Sequence, residues 1–258
     1  MRTLVVTGRG GVGKTTFAAL AVRYLRGRGS LLVVDADPDE SLASALGLDL
    51  GAAGVRTVSE LLYDVKFQRL DPELRRSLPA RPDQIEYLFH QEGLYEAEGF
   101  DFFALGPKWG DGCYCQPNAV LKAIVANSAR SYQTALIDSP AGLEHLNRRI
   151  TSEVDSIFAL IGPSAKSFDN VRRAHRICRE VDIRFRNFFL VANYEFPDDL
   201  LGSVSERTGL PCLGKVPYDE EVARRLLQGD SLLELDDSSP SADAVASILR
   251  QAGYGDGE

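Results

Sequence analysis

The residues best equipped for chemistry lie near the start of the chain. Gly8-Arg9-Gly10-Gly11-Val12-Gly13-Lys14-Thr15 fits the pattern G-x-x-x-x-G-K-[ST] in full. Its glycines let a loop curl until backbone N–H groups face inward, toward phosphate oxygens. Lys14 is then placed to reach the β- and γ-phosphates, and the Thr15 hydroxyl to hold Mg²⁺. The expected cradle runs through Gly10, Gly11, Val12, Gly13, Lys14, Thr15 and Thr16. Two carboxylate segments follow. Asp35-Ala36-Asp37-Pro38-Asp39 ends an apolar run, and strand alternation sets Asp35 and Asp37 on one side, where they can orient a water and engage Mg²⁺. A solvated acidic turn suits the same composition. Asp138 ends a second apolar run, Ala135-Leu136-Ile137, and is placed to back a Mg²⁺ site, with the Gly142 N–H as a sensor of the γ-phosphate. Cys113 and Cys115 stand before a helix expected to open near Gln116-Pro117. Thiols at a helix start have a lowered pKa and make ready metal ligands. Two thiolates fill half of a four-ligand shell, so either two chains share one ion or the pair is idle.

Those groups need a scaffold. Strands are expected at Thr3–Thr7, Ser30–Asp35, Asp101–Leu105, Thr134–Asp138, Ser156–Ile161, Asn187–Ala192 and Cys212–Val216. Most are continuous apolar runs, the mark of strands covered on both faces. Helices are expected between them, at Lys14–Arg26, Asn118–Ala129, Ser167–Glu180, Asp198–Thr208 and Asp219–Leu227, with one more around Ala242–Leu249. The alternation predicts an α/β fold: a doubly wound, mostly parallel sheet with helices on both faces. A single domain over 1–258 is expected, with a helical insertion at about 55–98 that is charged, contains Pro72, Pro79 and Pro82, and lacks a clear strand.

Composition narrows the partners. With 29 Lys and Arg against 37 Asp and Glu, the formal net charge is −8. That argues against a broad nucleic-acid surface, though not against phosphates in a local pocket. No apolar run approaches the roughly 18 residues that cross a bilayer, and no signal-peptide pattern or membrane anchor is seen. Four cysteines in 258 residues are too few for a disulfide scaffold, so a cytoplasmic location is expected. Cys178 and Cys212 read as small core residues. A metal pair of His175 with Cys178 is the less favoured alternative. Phe185, Phe188 and Phe189 read as core.

In combination, these residues resemble the deviant P-loop ATPases: the nitrogenase iron protein, the MinD and ParA group, and the arsenite and tail-anchor ATPases. That family reads K-G-G-V-G-K-T at the loop, D-x-D-P at switch I and D-x-P-A-G at switch II. Here the corresponding residues are Arg9-Gly10-Gly11-Val12-Gly13-Lys14-Thr15, Asp35-Ala36-Asp37-Pro38 and Asp138-Ser139-Pro140-Ala141-Gly142. The resemblance implies catalytic roles for Lys14 and Asp37 and an adenine-reading role for Asn193. It also implies a loop closing over the base at Val216-Pro217-Tyr218-Asp219. The family's signature Lys, which reaches across a dimer to the partner's phosphates, is Arg9 here. Arg keeps the charge but is longer and planar, and the alternative is a plain surface residue.

The Cys113-Tyr114-Cys115 pair, followed by Asp138 through Leu146, is similar to the CooC-type ATPases that mature nickel carbon monoxide dehydrogenase. That resemblance implies a homodimeric metallochaperone using ATP/ADP and Mg²⁺. One Ni²⁺ or Zn²⁺ would be shared between the two chains' cysteine pairs, and the client would be an apo-metalloenzyme of carbon monoxide dehydrogenase type. A partitioning or positioning ATPase of ParA or MinD kind is the second reading. The acidic charge and the Gly- and acid-rich end of the sequence weigh against it.

Overall fold

The computed structural model describes residues 1–67, 87–107, 115–128, 131–140, 153–180 and 183–255. Its centre is one sheet of eight strands: β1 (Arg2–Gly8), β2 (Leu31–Asp35), β3 (Tyr95–Ala97), β4 (Phe100–Ala104), β5 (Thr134–Asp138), β6 (Glu153–Ile161), β7 (Arg184–Ala192) and β8 (Cys212–Lys215). The order across the sheet is β3-β4-β2-β5-β1-β6-β7-β8. Every pairing is parallel except that of β3 with β4. Alternate side chains leave a strand on opposite faces. Leu4 and Val6 accordingly join one buried cluster, with Leu136, Phe158 and Leu160, while Val5 joins the other, with Ile137, Ile157 and Ala159. Both faces are covered, which explains why β2 and β5 read as unbroken apolar runs.

The helices are α1 (Lys14–Leu25), α2 (Ser41–Ala45), α3 (Val58–Phe67), α4 (Cys115–Asn127), α5 (Ala165–Glu180), α6 (Ser203–Thr208), α7 (Glu220–Gln228) and α8 (Pro240–Gln251). α1 is rich in Ala and Leu, with Phe17 through Val22 buried without a break; it packs with α8 on the first face of the sheet. α5 lays Phe168, Val171, Ala174 and Cys178 on the second face.

Two expectations need correction. The stretch at 55–98 is not strand-free: Tyr95–Ala97 pairs antiparallel with β4, with Gly99 taking φ 85° in the turn. Helix Asp198–Thr208 is broken into a 3₁₀ turn, Asp198–Leu200, and the short α6, with Gly202 between them. Among the described residues, no helix is long and apolar enough to cross a membrane.

Candidate functional site

The glycine-rich loop leaves β1 at the centre of the sheet and runs into α1. Gly8, Gly11 and Gly13 have φ of 152°, 74° and 95°, a region that L side chains rarely adopt. At Gly8 a Cβ would lie 2.9 Å from Val12 Cγ1 and 3.0 Å from the Leu160 carbonyl oxygen, so only glycine fits. Lys14 is buried although charged; its Nζ makes a long 3.4 Å bond to the Arg9 carbonyl oxygen. A buried ammonium held by one long bond is poised for an anion.

Sequence spacing paired Asp35 with Asp37; the structure pairs Asp35 with Asp138. β2 stops at Asp35, so strand alternation never reaches Asp37, which lies half-buried in the turn beyond. Asp35 and Asp138 are register partners on adjacent strands, and the Ala36 N–H donates to the Asp138 carbonyl at 3.0 Å. The Asp35 carboxylate accepts from the Asp37 N–H at 3.0 Å and the Leu42 N–H at 2.9 Å. It thereby ties the acidic turn to the first turn of α2. Burial, reinforced by the charge of Asp138, pushes the Asp35 carboxyl up to about 8.

Asp138 accepts from the Thr15 hydroxyl at 2.9 Å through Oδ2. Its Oδ1 is buried and has no partner among the described residues. Burial pushes this carboxyl up to about 7, against the pull of the Thr15 bond and the Lys14 charge. The Ser41 hydroxyl lies 3.4 Å from Thr15 Oγ1. Thr15 spends its one hydrogen on Asp138, so Ser41 is the donor. Hydroxyl and carboxylate oxygens of this kind, one of them bare, fit a hard divalent cation such as Mg²⁺.

On the other flank, Val12, Thr16, Leu160, Asn193, Pro217 and Tyr218 line a cavity of about 180 Å³. Asn193 is 4% exposed. Its amide nitrogen donates to Glu195 at 3.3 Å, while its Oδ1 has no partner among the described residues. Tyr194 and Tyr218, both largely exposed, bring their rings to 5.7 Å from each other at the rim. Arg9 is half-buried and lines a smaller pocket with Ser167 and Asn170. Among the described residues its guanidinium makes no ion pair.

Cys113 and Gly142 lie outside the described residues, and of Cys115 only its place as the opening residue of α4 is described. His175 packs edge-on to Phe185 and Phe188, and burial pushes the Cys178 thiol up to about 12. Cys178 thus sits in the core, and His175 belongs to an aromatic cluster with Phe185 and Phe188. No group of three or more His, Cys, Asp or Glu among the described residues could hold a metal. Sequence reasoning missed Ser41, Tyr194 and Ser241 at the site. Ser41 follows the acidic turn and Tyr194 follows Asn193, which was the available signal.

A parallel sheet with this loop at its centre and carboxylates at two neighbouring strand ends defines a P-loop nucleotide-binding domain. The chain belongs to the CobQ/CobB/MinD/ParA nucleotide-binding family, whose CbiA domain matches residues 3–232. It is 33% identical over 253 residues to an uncharacterised ATP-binding protein of Methanocaldococcus jannaschii, covering 96% of this chain and 97% of that protein. It is 27% identical over 263 residues to the carbon monoxide dehydrogenase accessory protein CooC of Rhodospirillum rubrum, covering 96% and 95% of the two chains. The fold aligns with the MinD cell division protein of Aquifex aeolicus at a TM-score of 0.69 and 19% identity, over 100% of this chain and 99% of that one.

Proposed function

We propose that this chain is a homodimeric, Mg²⁺-dependent ATPase switch that delivers nickel to an apo-enzyme of carbon monoxide dehydrogenase type. One observation carries the ATPase reading: the buried Asp138 carboxylate, bonded to Thr15 beside the Lys14 loop, with one oxygen left bare. Thr15 and Asp138 are the residues that would hold Mg²⁺, which supplies positive charge to the phosphate oxygens. Lys14 and the loop N–H groups neutralise the phosphates, and Asn193 and Pro217 take the base. Asp37 orients the attacking water, whose oxygen bonds to the γ-phosphorus as the bond to ADP breaks; inorganic phosphate takes up the proton. Arg9 reaches the partner subunit's phosphates.

The delivery reading is supported by the CooC relative, matched along 96% of this chain, and by Cys113 and Cys115. Two thiolates from each chain complete four ligands for one ion at the dimer face, where Ni²⁺ or Zn²⁺ suits sulfur. ATP closes the dimer and hydrolysis opens it, the two-state logic of a γ-phosphate switch.

Lys14→Ala tests the first half. It removes the buried charge facing the phosphates and should abolish ATP binding by calorimetry. Parent-like affinity in that variant overturns the reading.

A further inference from the structure

The base cavity is bounded on one side by the loop between β8 and α7, and that loop is fastened to a helix more than twenty positions later. Asp219 is 8% exposed and uses both carboxylate oxygens. Oδ1 accepts from the N–H groups of Glu221 at 3.0 Å and Val222 at 3.3 Å, capping α7. Oδ2 accepts from the Ser239 hydroxyl at 2.6 Å and the Ser241 N–H at 3.3 Å, at the start of α8. Ser241, 2% exposed, donates its own hydroxyl to the Pro217 carbonyl at 2.9 Å. Asp219 and Ser241 both line the cavity.

The same helix α8 packs along α1, which carries Lys14 and Thr15 at its first turn. One helix therefore braces both ends of the site: its body supports the phosphate end and its first turn grips the base end. Pro217 and Tyr218 have no strand or helix of their own to hold them. Their position depends on the hydrogen bonds at Pro217 and Asp219, and on the Val216 N–H bond to Ala192 at 2.9 Å.

We propose that Asp219 and Ser241 are positioning residues for the nucleobase, pinning the Pro217–Tyr218 wall to α8 so that the cavity is preformed for a purine ring. The inference rests on the nucleotide reading above and goes further by assigning base affinity to a buried link that need not touch the ligand.

The test compares two probes, ATP and inorganic tripolyphosphate, each titrated with Mg²⁺ into the full chain by calorimetry. Tripolyphosphate engages the loop but has no base. Ser241→Ala should weaken ATP about fivefold, the worth of one net hydrogen bond, and leave tripolyphosphate unchanged. Asp219→Asn keeps the oxygen that caps α7 but presents an N–H to Ser239 and Ser241, so it should weaken ATP by about tenfold or more, again with tripolyphosphate unchanged. Parallel losses for both probes would mean a merely structural role and overturn the proposal, as would unchanged ATP affinity in both variants. A parent chain that binds tripolyphosphate and ATP equally removes the base pocket from recognition and overturns this inference alone. A parent that binds neither overturns the nucleotide reading with it.

Discussion

The Thr15 hydroxyl donates to Oδ2 of Asp138 at 2.9 Å, across 123 positions of sequence, while Oδ1 of the same buried carboxylate meets no partner among the described residues. A buried carboxylate oxygen without a donor is costly, and a cation or its water would relieve that cost in the charged form. Asp138→Asn keeps the shape and removes the charge. The Mg²⁺ concentration giving half-maximal hydrolysis should rise about 10- to 100-fold in that variant, the usual effect of losing a supporting group at a metal site. Affinity for nucleotide without metal should hold. An unchanged Mg²⁺ requirement would dismiss Asp138 from the metal site.

Asp35 and Asp37 separate into different jobs. Asp35 is fully buried and accepts from two backbone N–H groups, so Asp35→Ala should destabilise the fold by about 2 kcal/mol or more as those donors lose their acceptor. Asp37 is only half-buried, and Asp37→Ala should leave the melting temperature nearly unchanged. It should bind ATP normally yet hydrolyse it about a hundredfold or more slowly, the scale of losing a group that positions or activates water. Thermal melts and phosphate release check both. Parent-rate hydrolysis in Asp37→Ala would move the water-orienting role elsewhere.

The two buried carboxyls also set a pH dependence. Burial, and for Asp35 the neighbouring Asp138 charge, raise both above the ordinary value of 3.8, to about 8 for Asp35 and about 7 for Asp138. Between those limits the folded chain keeps protons that the unfolded chain has released, so stability falls as pH rises. The melting temperature of nucleotide-free protein should therefore drop from about pH 5 to about pH 8, and Asp35→Asn should flatten the slope. A cation at Asp138 favours the charged form, so stabilisation by Mg·ADP should be greater at the alkaline end. A nucleotide-free melting temperature that climbs across this window would contradict the buried pair.

What could be read in advance follows from what is local. The phosphate loop is one contiguous stretch, and β2 and β5 announce themselves because a strand buried on both faces must be apolar throughout. The strand Tyr95–Ala97 could not be read: it is three residues long, one of them Glu96, and its extended form depends on pairing with β4. The partnership of Asp35 with Asp138 depends on β2 lying beside β5, a strand order that neither segment encodes. Asp219 reads as an ordinary helix cap and Ser241 as a first-turn helix residue; the bonds of Ser241 to Asp219 and to Pro217 exist only once α8 has docked. Asn193 was reached through family likeness, since a lone Asn at a strand end carries little information of its own.

Arg9 stands where the loop borders Ser167 and Asn170, half-buried and without an ion pair among the described residues. If its guanidinium serves the partner subunit's phosphates, Arg9→Ala should bind nucleotide with parent affinity as a monomer. It should lose ATP-dependent dimerisation, followed by light scattering, and about 10²- to 10³-fold in hydrolysis, the range for removing one charge-stabilising donor. Arg9→Lys restores a cation on a shorter stem and should recover most of the rate. Full activity in Arg9→Ala would make it a surface residue.

The cysteine pair gives the sharpest test of metal delivery. If Cys113 and Cys115 of two chains share one ion, each chain gives half of a four-thiolate shell, and the expected stoichiometry is one Ni²⁺ or Zn²⁺ per dimer. Thiolates must shed their protons to bind, so affinity should fall as pH drops. If closure of the dimer assembles the shell, ATP should raise metal affinity, and metal should raise ATP affinity by the same factor, because coupling between two sites is reciprocal. Metal titrations of the parent and of a Cys113→Ser/Cys115→Ser variant, each with ADP and with ATP, measure all of this. The double variant should lose metal binding while keeping nucleotide affinity in the absence of metal. One metal per chain would refute the shared site. Equal metal binding by the double variant would remove the pair from the mechanism and leave the nucleotide switch without a cargo.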